Sequence, residues 1–544
     1  MTRQPERIAV VGFGPVAARL VDELLPAAGE GLIRLTVIGA ETEAAYNRVL
    51  VADVGVGRTT AEAISLADES GLRRQGTVVR LGRTVRRIDR PRRQLLLDDG
   101  SIEAYDRLVL ATGARPVVPT LTGLNPDPSA LHLLPPGVTA LRDLGDAARL
   151  RSVVAARGEV IVLGGGILGI EAALAAADEG AAVTVVHHGP RPLGRSIDTG
   201  GGAVLARALR GRGIRLVSDA RSSGIRFRNQ PGGRHRFDAL VLDDGSELPA
   251  DLLLLSCGVR PRTALAEGCG LAVDAGIVVN HRLEADVESR VFAIGDCAQV
   301  NCGQDNCPEC GPGSGAPLGL LGPGWRQAEF LAGRLLAAAA AGGTTAGGKP
   351  QGAGLLPPGT EPGGPDRLPA ERPPVILLKA RGVDMAAAGD VGAELWDDDV
   401  PDEPGTDPRH VSQWADPEHG RYAKMVTRGG VLEGLVCVGM PRTAAELVLL
   451  FERGAELPAD RTAMFRLDAI EELPASAGPA DPDSTLCRCT GATLGSVEDA
   501  IADGCATTDE VSACTRAGTG CGGCKSRIRE LIEAHRGLEA APAG

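Results

Sequence analysis

Through its first half the chain alternates short, contiguous apolar runs with longer stretches whose apolar positions fall at helical spacing. Ile8-Ala9-Val10-Val11 is one such run, and the stripe Ala18, Leu20, Val21 and Leu24 follows it. Arg34-Leu35-Thr36-Val37-Ile38-Gly39, Glu159-Val160-Ile161-Val162-Leu163 and Ala182-Val183-Thr184-Val185-Val186 repeat the first type, as do the stretches around Val109 and Phe292. Runs of this length bounded by turns predict strands buried on both faces, and their alternation with amphipathic helices predicts an α/β fold. The pattern then changes. From Ala337 to Pro374 Ala, Gly and Pro dominate and large apolar residues are scarce, a composition that cannot bury a core and predicts a flexible linker. Strand-like runs resume at Val375-Ile376-Leu377-Leu378-Lys379 and Val383-Asp384-Met385. Tyr422-Ala423-Lys424-Met425-Val426 and the run Val431 to Val438 predict a hairpin turned by Gly429-Gly430. Asp397-Asp398-Asp399 to Pro408 reads as a solvated acidic loop, Pro474 to Pro482 as a tether, and the tail beyond as short helices with Gly-rich turns.

Two glycine-rich turns sit where strand meets helix. Gly12-Phe13-Gly14-Pro15-Val16-Ala17 is G-x-G-x-x-A: glycines let backbone N–H groups approach a pyrophosphate, and the helix N-terminus favours its charge. The following strand leads to Glu41, a carboxylate placed for an adenosine ribose, so Gly12, Gly14, Ala17 and Glu41 are candidate binding residues. Gly164, Gly166, Gly169 and Glu171 repeat the device after the strand ending at Leu163. There the next strand ends in His187-His188, with Arg191 and Arg195 close behind. An acid would select NADH and arginines would accommodate a 2′-phosphate; neither signal is clean, and solvated loop arginines are the plainer alternative. The expected ligand is NAD(P)H, with His187 among its candidate contacts.

Cysteines add different chemistry. Cys487-Arg488-Cys489 and Cys521-Gly522-Gly523-Cys524 are two close pairs, the arrangement of a metal ligand set, with structural zinc and unligated loops as alternatives. The segment resembles the bacterioferritin-associated-ferredoxin type of [2Fe-2S] domain, which implies that Cys487, Cys489, Cys521 and Cys524 hold a [2Fe-2S] cluster. Cys302, Cys307 and Cys310 have the C-x4-C-x2-C spacing of a plant-type ferredoxin loop. The match is incomplete because the next cysteine is Cys437, so a second metal centre competes with reduced thiols in an insert. Cys297 lies just upstream and is equally consistent with a small packed residue.

The two dinucleotide motifs, the Ala111-Thr112-Gly113 turn and the Gly295-Asp296 turn together resemble the two-dinucleotide-domain flavoprotein reductases over roughly residues 5 to 335. That resemblance implies FAD on the first Rossmann-like domain, with Thr112, Gly113 and Asp296 at the flavin nucleotide. It also implies a nicotinamide cofactor on the second, with Gly258 in the small-residue turn after it. Ala45-Tyr46-Asn47-Arg48-Val49-Leu50 resembles the reductase portion of assimilatory nitrite reductase large subunits and of assimilatory nitrate reductase electron-transfer subunits, which implies Arg48 beside FAD. Disulfide reductases of this fold carry a redox cysteine soon after the first fold's second strand, yet none occurs here before Cys257. Electrons are expected to leave the flavin by another route.

The expected fold class is therefore α/β with two Rossmann-like dinucleotide-binding domains, a small α+β C-terminal reductase domain and a small helical [2Fe-2S] domain. Expected boundaries are 1–125 with 250–335 for FAD, 126–249 for NAD(P)H, 336–374 for the linker, 375–470 for the small domain and 484–536 for the cluster. A chain of 544 residues is too long for one core, in keeping with this division. Net charge of −13 and four scattered lysines argue against nucleic acid, which needs a basic face. No run of about 18 apolar residues predicts a membrane span. The N-terminus enters a strand without a signal-like apolar region, and the 13 cysteines, bunched beyond position 256, do not read as a disulfide framework, so a cytoplasmic setting is expected. The resemblance implies a molybdenum nitrate reductase catalytic subunit or a sirohaem nitrite reductase as electron acceptor. With no further cysteine set after Cys524 for a sirohaem-linked centre, the nitrate reductase is favoured. A ferredoxin or rubredoxin reductase, and a reductase with a regulatory metal-binding tail, are the alternatives.

Overall fold

The computed structural model describes residues 4–124, 134–230, 234–302, 307, 317, 319–341, 367–369, 373–397, 407–468, 482–520 and 522–539. Its first layer is a six-stranded sheet in the order Glu284–Asp286, Val291–Ala293, Arg107–Leu110, Glu6–Val11, Ile33–Ile38, Val78–Arg80. All neighbours are parallel except the Glu284–Asp286 edge. The contiguous apolar runs are buried on both faces, under the helix Pro15–Gly29 and the helix Leu321–Ala341, with Leu20, Leu24, Leu108 and Leu331 in one core. Burial on this scale contributes about 1.5–3 kcal/mol per large side chain, which fixes the sheet that carries the first glycine turn.

A second sheet, all parallel, runs Arg215–Val217, Ala182–Val186, Glu159–Leu163, Leu252–Leu255, Val138–Thr139. The chain reaches it through Ala114–Pro116 and returns through Val259–Pro261, and these two connections pair antiparallel. The second unit is thus inserted into the first, and both glycine turns open at the C-terminal ends of parallel strands, where α/β sheets bind ligands.

The third layer is a five-stranded antiparallel sheet, Val375–Ala380, Val383–Gly389, Val431–Val438, Arg421–Arg428, Arg409–Asp416, backed by the helix Pro441–Arg453. The predicted hairpin is present: Tyr422 pairs with Val438, and Gly429 and Gly430 take φ of +54° and +83° in the turn. This sheet packs on the helix Thr199–Gly211 of the second unit, sharing a core of Leu205, Leu209, Met385 and Val438. Added Cβ atoms at Gly200 and Gly201 would lie 2.5 and 2.7 Å from Tyr422 and Val436, so only glycine permits the approach. Lys424 is fully buried there, 3.6 Å from Asp198, and donates to the Val391 carbonyl at 3.1 Å.

One departure from the sequence pattern concerns the helix Leu321–Ala341. Gly324 allows it close contact with Val16, and it runs into the stretch expected to be linker from residue 336. Ala337 to Ala341 extend it because alanine has the highest helix propensity. Beyond it, Leu368 is buried in the first core. The acidic residues 398–406 and the tether up to residue 481 lie outside the described residues. The tail comprises the helices Leu494–Ala502, Thr508–Thr515 and Lys525–Glu539 around Val497, Val511 and Ile528. Among the described residues no helix is long and apolar enough to cross a membrane.

Candidate functional site

The first glycine turn is built by backbone demands. Gly12 has φ of +103°, and a Cβ there would overlap the Ala111 carbonyl oxygen of the neighbouring strand. Its N–H donates to the Ile38 carbonyl at 2.8 Å, and Gly14 caps the helix that opens with Pro15, a residue suited to a first turn whose N–H groups have no helical acceptor. Those N–H groups and the helix dipole face the sheet's carboxyl edge, and Ala17 is buried beneath them.

Arginines crowd this edge, with two carboxylates among them. Arg48 pairs with Glu41, donates to the Arg142 carbonyl at 3.0 Å, and lies over the Tyr46 ring. Tyr46 hydrogen-bonds Glu41 at 2.5 Å, and its hydroxyl is pushed upward chiefly by burial. Arg142 reaches Asp296 at 3.0 Å. Thr112 donates to the Arg262 carbonyl at 2.9 Å, and Gly113, at φ of +67°, accepts from the Arg262 N–H. The Arg262 guanidinium is held below its ordinary value by burial and then by Arg48 and Arg142. Crowded guanidinium groups at a helix N-terminus fit a diphosphate, which would relieve that repulsion, and Gly14, where an added Cβ would meet nothing nearer than Arg48 Nε at 3.8 Å, leaves room for its approach. The residues expected at an FAD site are therefore brought together.

The second turn repeats the geometry. Gly164 has φ of +125°, and a Cβ would overlap the Ser256 carbonyl oxygen; one on Gly169 would lie 2.6 Å from the Gly164 carbonyl oxygen. Gly166 caps the helix Ile167–Asp178, which carries Glu171 in its second turn, and Gly258 is left-handed at φ of +94°. His187 is buried behind the turn: its ring lies against Gly165, its Nε2 is 3.2 Å from Ser218 Oγ, and burial lowers its pKa. Counting from the carbonyl that accepts from each loop glycine, Ile38 matches Val186, so Glu41 matches Gly189, which offers no side chain. Arg191 lies over Gly202, and Arg195 is exposed.

The cysteine loop of the tail rests on the first site. Asn47 donates its side-chain amide to the Thr519 carbonyl at 2.9 Å and also to the Gly520 carbonyl. The Trp325 indole donates to the Pro15 carbonyl at 3.1 Å, and its ring edge lies 3.4 Å from where a Gly520 Cβ would stand. Arg516 pairs with Glu23 of the first helix at 2.7 Å. Cys487 is buried, and hydrogen bonds from Cys489 and Cys524 lower its pKa; a Cβ on Gly520 would fall 2.8 Å from the Cys489 sulfur. Three thiols brought together, one of them packed against a glycine that alone permits its approach, fit a thiolate-held cluster. Cys521 lies outside the described residues.

Elsewhere, Cys302 and Cys307 are brought together, while Cys310 lies outside the described residues. Cys297 is fully buried, with its thiol donating to the Ile294 carbonyl at 3.2 Å, a packed residue of the first core. Cys257 donates to the Leu163 carbonyl at 3.4 Å, and burial pushes its thiol up to about 11, so it stays protonated at neutral pH.

A family model described as pyridine nucleotide-disulphide oxidoreductase matches residues 6–313. The chain belongs to that family. A second model, the BFD-like [2Fe-2S] binding domain, matches residues 485–534 of the reductase. The nitrite reductase [NAD(P)H] of Bacillus subtilis (strain 168) is 27% identical over 534 residues, 97% of this chain and 57% of its own length. The assimilatory nitrate reductase electron transfer subunit of the same organism is 26% identical over 535 residues, 97% and 59% of the two chains. The reductase thus spans less than two thirds of these relatives' length. Among solved structures, the covalent putidaredoxin reductase–putidaredoxin complex shares the fold, with a TM-score of 0.65 at 21% identity over 86% of this chain and 99% of that one. The reductase is an NAD(P)H-dependent oxidoreductase with FAD, NAD(P)H and a [2Fe-2S] cluster as its cofactors.

Sequence reasoning did not single out Asn47, Arg142, Arg262 or Trp325. Asn47 stands in the motif read for Arg48, and an amide beside that arginine was its only signal; Arg142, Arg262 and Trp325 reach the site by folding alone.

Proposed function

We propose that the reductase passes electrons from NAD(P)H through FAD and the [2Fe-2S] cluster to an assimilatory nitrate reductase catalytic subunit, the molybdenum-containing partner. The observation that carries the reading is the pair of hydrogen bonds from Asn47 to Thr519 and Gly520, which seat the cysteine loop against the FAD-binding edge. FAD, when bound, accepts nicotinamide electrons in pairs and releases them singly to an iron–sulfur centre.

The chain's own residues divide the work. Gly12, Gly14 and Ala17 open the first turn to the diphosphate. Arg48, Glu41, Thr112, Gly113 and Asp296 orient the rest of the nucleotide, with Arg142 and Arg262 balancing its charge. Gly164, Gly166, Gly169, Glu171 and Gly258 shape the nicotinamide cofactor's seat, and His187 supports it from behind. Cys487, Cys489, Cys521 and Cys524 hold the cluster, whose seating shortens the path from flavin to acceptor. Similarity along 97% of the chain to the Bacillus subtilis electron transfer subunit supports this acceptor, and equal coverage by the nitrite reductase of the same organism makes a sirohaem nitrite reductase the second reading.

The deciding experiment mixes NAD(P)H-reduced protein with a nitrate reductase catalytic subunit and, separately, with a sirohaem nitrite reductase, and follows nitrate or nitrite loss. Nitrate consumption that disappears in Cys521→Ser, with flavin reduction retained, is expected. Turnover of nitrite alone would reassign the acceptor, and cluster bands that never bleach with NAD(P)H would make the tail regulatory.

A further inference from the structure

Outside the electron-transfer site, parallel register brings a second set of metal-binding side chains together. The short strands Ile277–Val279 and Ala298–Val300 pair with Val279 opposite Val300, and the Asn301 N–H continues the ladder by donating to the Val279 carbonyl at 2.8 Å. His281 and Cys302 each stand two residues past the matched pair, so they emerge side by side. Cys307 returns to the same point: its sulfur is 3.2 Å from His281 Nε2, and the three ligand atoms all lie within 4.8 Å of one another. His281 and Cys307 are only 5% and 6% exposed. The His281 backbone is held from the other side by the Leu368 N–H at 2.8 Å, and Leu368 is itself anchored in the first core.

We propose that His281, Cys302 and Cys307 bind a structural zinc ion. One imidazole and two thiolates are a borderline-soft N/S set, and zinc takes such sets tetrahedrally with Zn–N of about 2.0–2.1 Å and Zn–S of about 2.3 Å. Donors on one tetrahedron are then about 3.5–3.8 Å apart, the scale on which these three already sit. The fourth position belongs to a donor beyond these three. Cys302 and Cys307 are separated in sequence by Gly303-Gln304-Asp305-Asn306, none of them apolar. A metal clip held by His281, Cys302 and Cys307 would fix the two cysteines to the strand pair, because the free energy of binding thiolates and imidazole is also free energy of folding. The clip lies directly downstream of Asp296 and so braces the turn at the FAD-binding edge. Zinc has no redox chemistry, so this centre offers electrons no branch away from the tail cluster.

Metal analysis of the full-length protein, with zinc, iron, acid-labile sulfide and FAD counted per chain, tests the assignment. One zinc beside two irons is expected. Zinc should be lost in His281→Ala and Cys302→Ser, while iron and FAD stay. Zinc-edge X-ray absorption on the unmodified protein gives a readout that does not depend on variant folding: it should show nitrogen and sulfur scatterers together, and His281→Cys should raise the sulfur share. Protein without zinc would overturn the proposal. So would zinc with oxygen and nitrogen neighbours only, or iron and sulfide above two per chain that fall in Cys302→Ser.

Discussion

The two glycine turns use one backbone device and are surrounded by different chemistry. In each, a glycine with strongly positive φ follows a parallel strand, and the missing Cβ leaves room for the carbonyl of the adjacent strand, Ala111 in one case and Ser256 in the other. Around the first, Arg48, Arg142 and Arg262 crowd together, balanced by Glu41 and Asp296, and the cysteine loop covers the edge. Around the second, the residue matching Glu41 is Gly189, and a neutral, buried His187 lies behind the turn. The backbone makes both turns dinucleotide seats. The surrounding charges distinguish them: arginines and carboxylates crowd the first, and a buried histidine backs the second.

Substitution at the two glycines breaks this comparison most sharply. Any side chain at Gly12 or Gly164 forces both unfavourable φ and overlap with a carbonyl, a strain beyond the ~1–3 kcal/mol of an ordinary outlier. Gly12→Val is expected to abolish flavin binding, measured as the flavin absorbance ratio of purified protein. Gly164→Val should keep its flavin, while stopped-flow reduction by NAD(P)H slows by roughly a hundredfold, as a ~2.7 kcal/mol loss implies. Equal flavin loss in both variants would mean that the turns are not functionally distinct.

The turns were legible in the sequence because each is a local object: strand, glycines and helix follow one another within a few residues. The tail cysteines were legible for the same reason, and so was the Tyr422–Val438 hairpin. What joins these pieces was not. Asn47 and Gly520 lie 473 positions apart, and nothing near either residue marks the other. His281 had no metal-ligand signature, because its partner Cys302 is set by strand register and not by spacing. His187 read as a polar strand end of the kind that meets a cofactor. It occupies the position of Gly39, behind the turn, and burial decides its role.

Removing the Asn47 amide tests whether the cysteine loop belongs to the first site. Asn47→Ala loses two hydrogen bonds to backbone carbonyls of the tail, each worth about 0.5–1.5 kcal/mol net, so docking should weaken by about 1–3 kcal/mol; it also loses the local cap in which Asn47 Oδ1 accepts from the Val49 N–H at 3.0 Å. Flavin reduction by NAD(P)H should be unchanged, while cluster reduction, followed in the visible region after rapid mixing, becomes slower. Combining it with Arg516→Ala should deepen the effect, since the Arg516–Glu23 pair holds the same domain at a second point. Unaltered cluster reduction in the double variant would show that electrons reach the cluster without this seating.

The smallest effect separates the turns by pH. Burial lowers the His187 pKa below its ordinary value near 6.5 and is the largest cause, opposed by a hydrogen bond with the Gly189 backbone and by Asp219, with His188 acting in the lowering direction. The unfolded chain therefore takes up more protons than the folded one as pH falls through about 6.5. The resulting stability is complete above that value and is lost on acidification towards the lower folded pKa, by less than about 1.4 kcal/mol per pH unit. Among the described residues no histidine borders the first turn, where Gly39 occupies the matching position. Urea midpoints at pH 7.5 and 5.5, read separately through flavin release and total unfolding, should show the extra acid sensitivity in the nicotinamide unit. His187→Asn, which keeps a polar group beside Ser218 but does not titrate, should flatten that part of the profile. An unchanged slope in the variant would place the acid sensitivity at another group and leave His187 a packing residue alone.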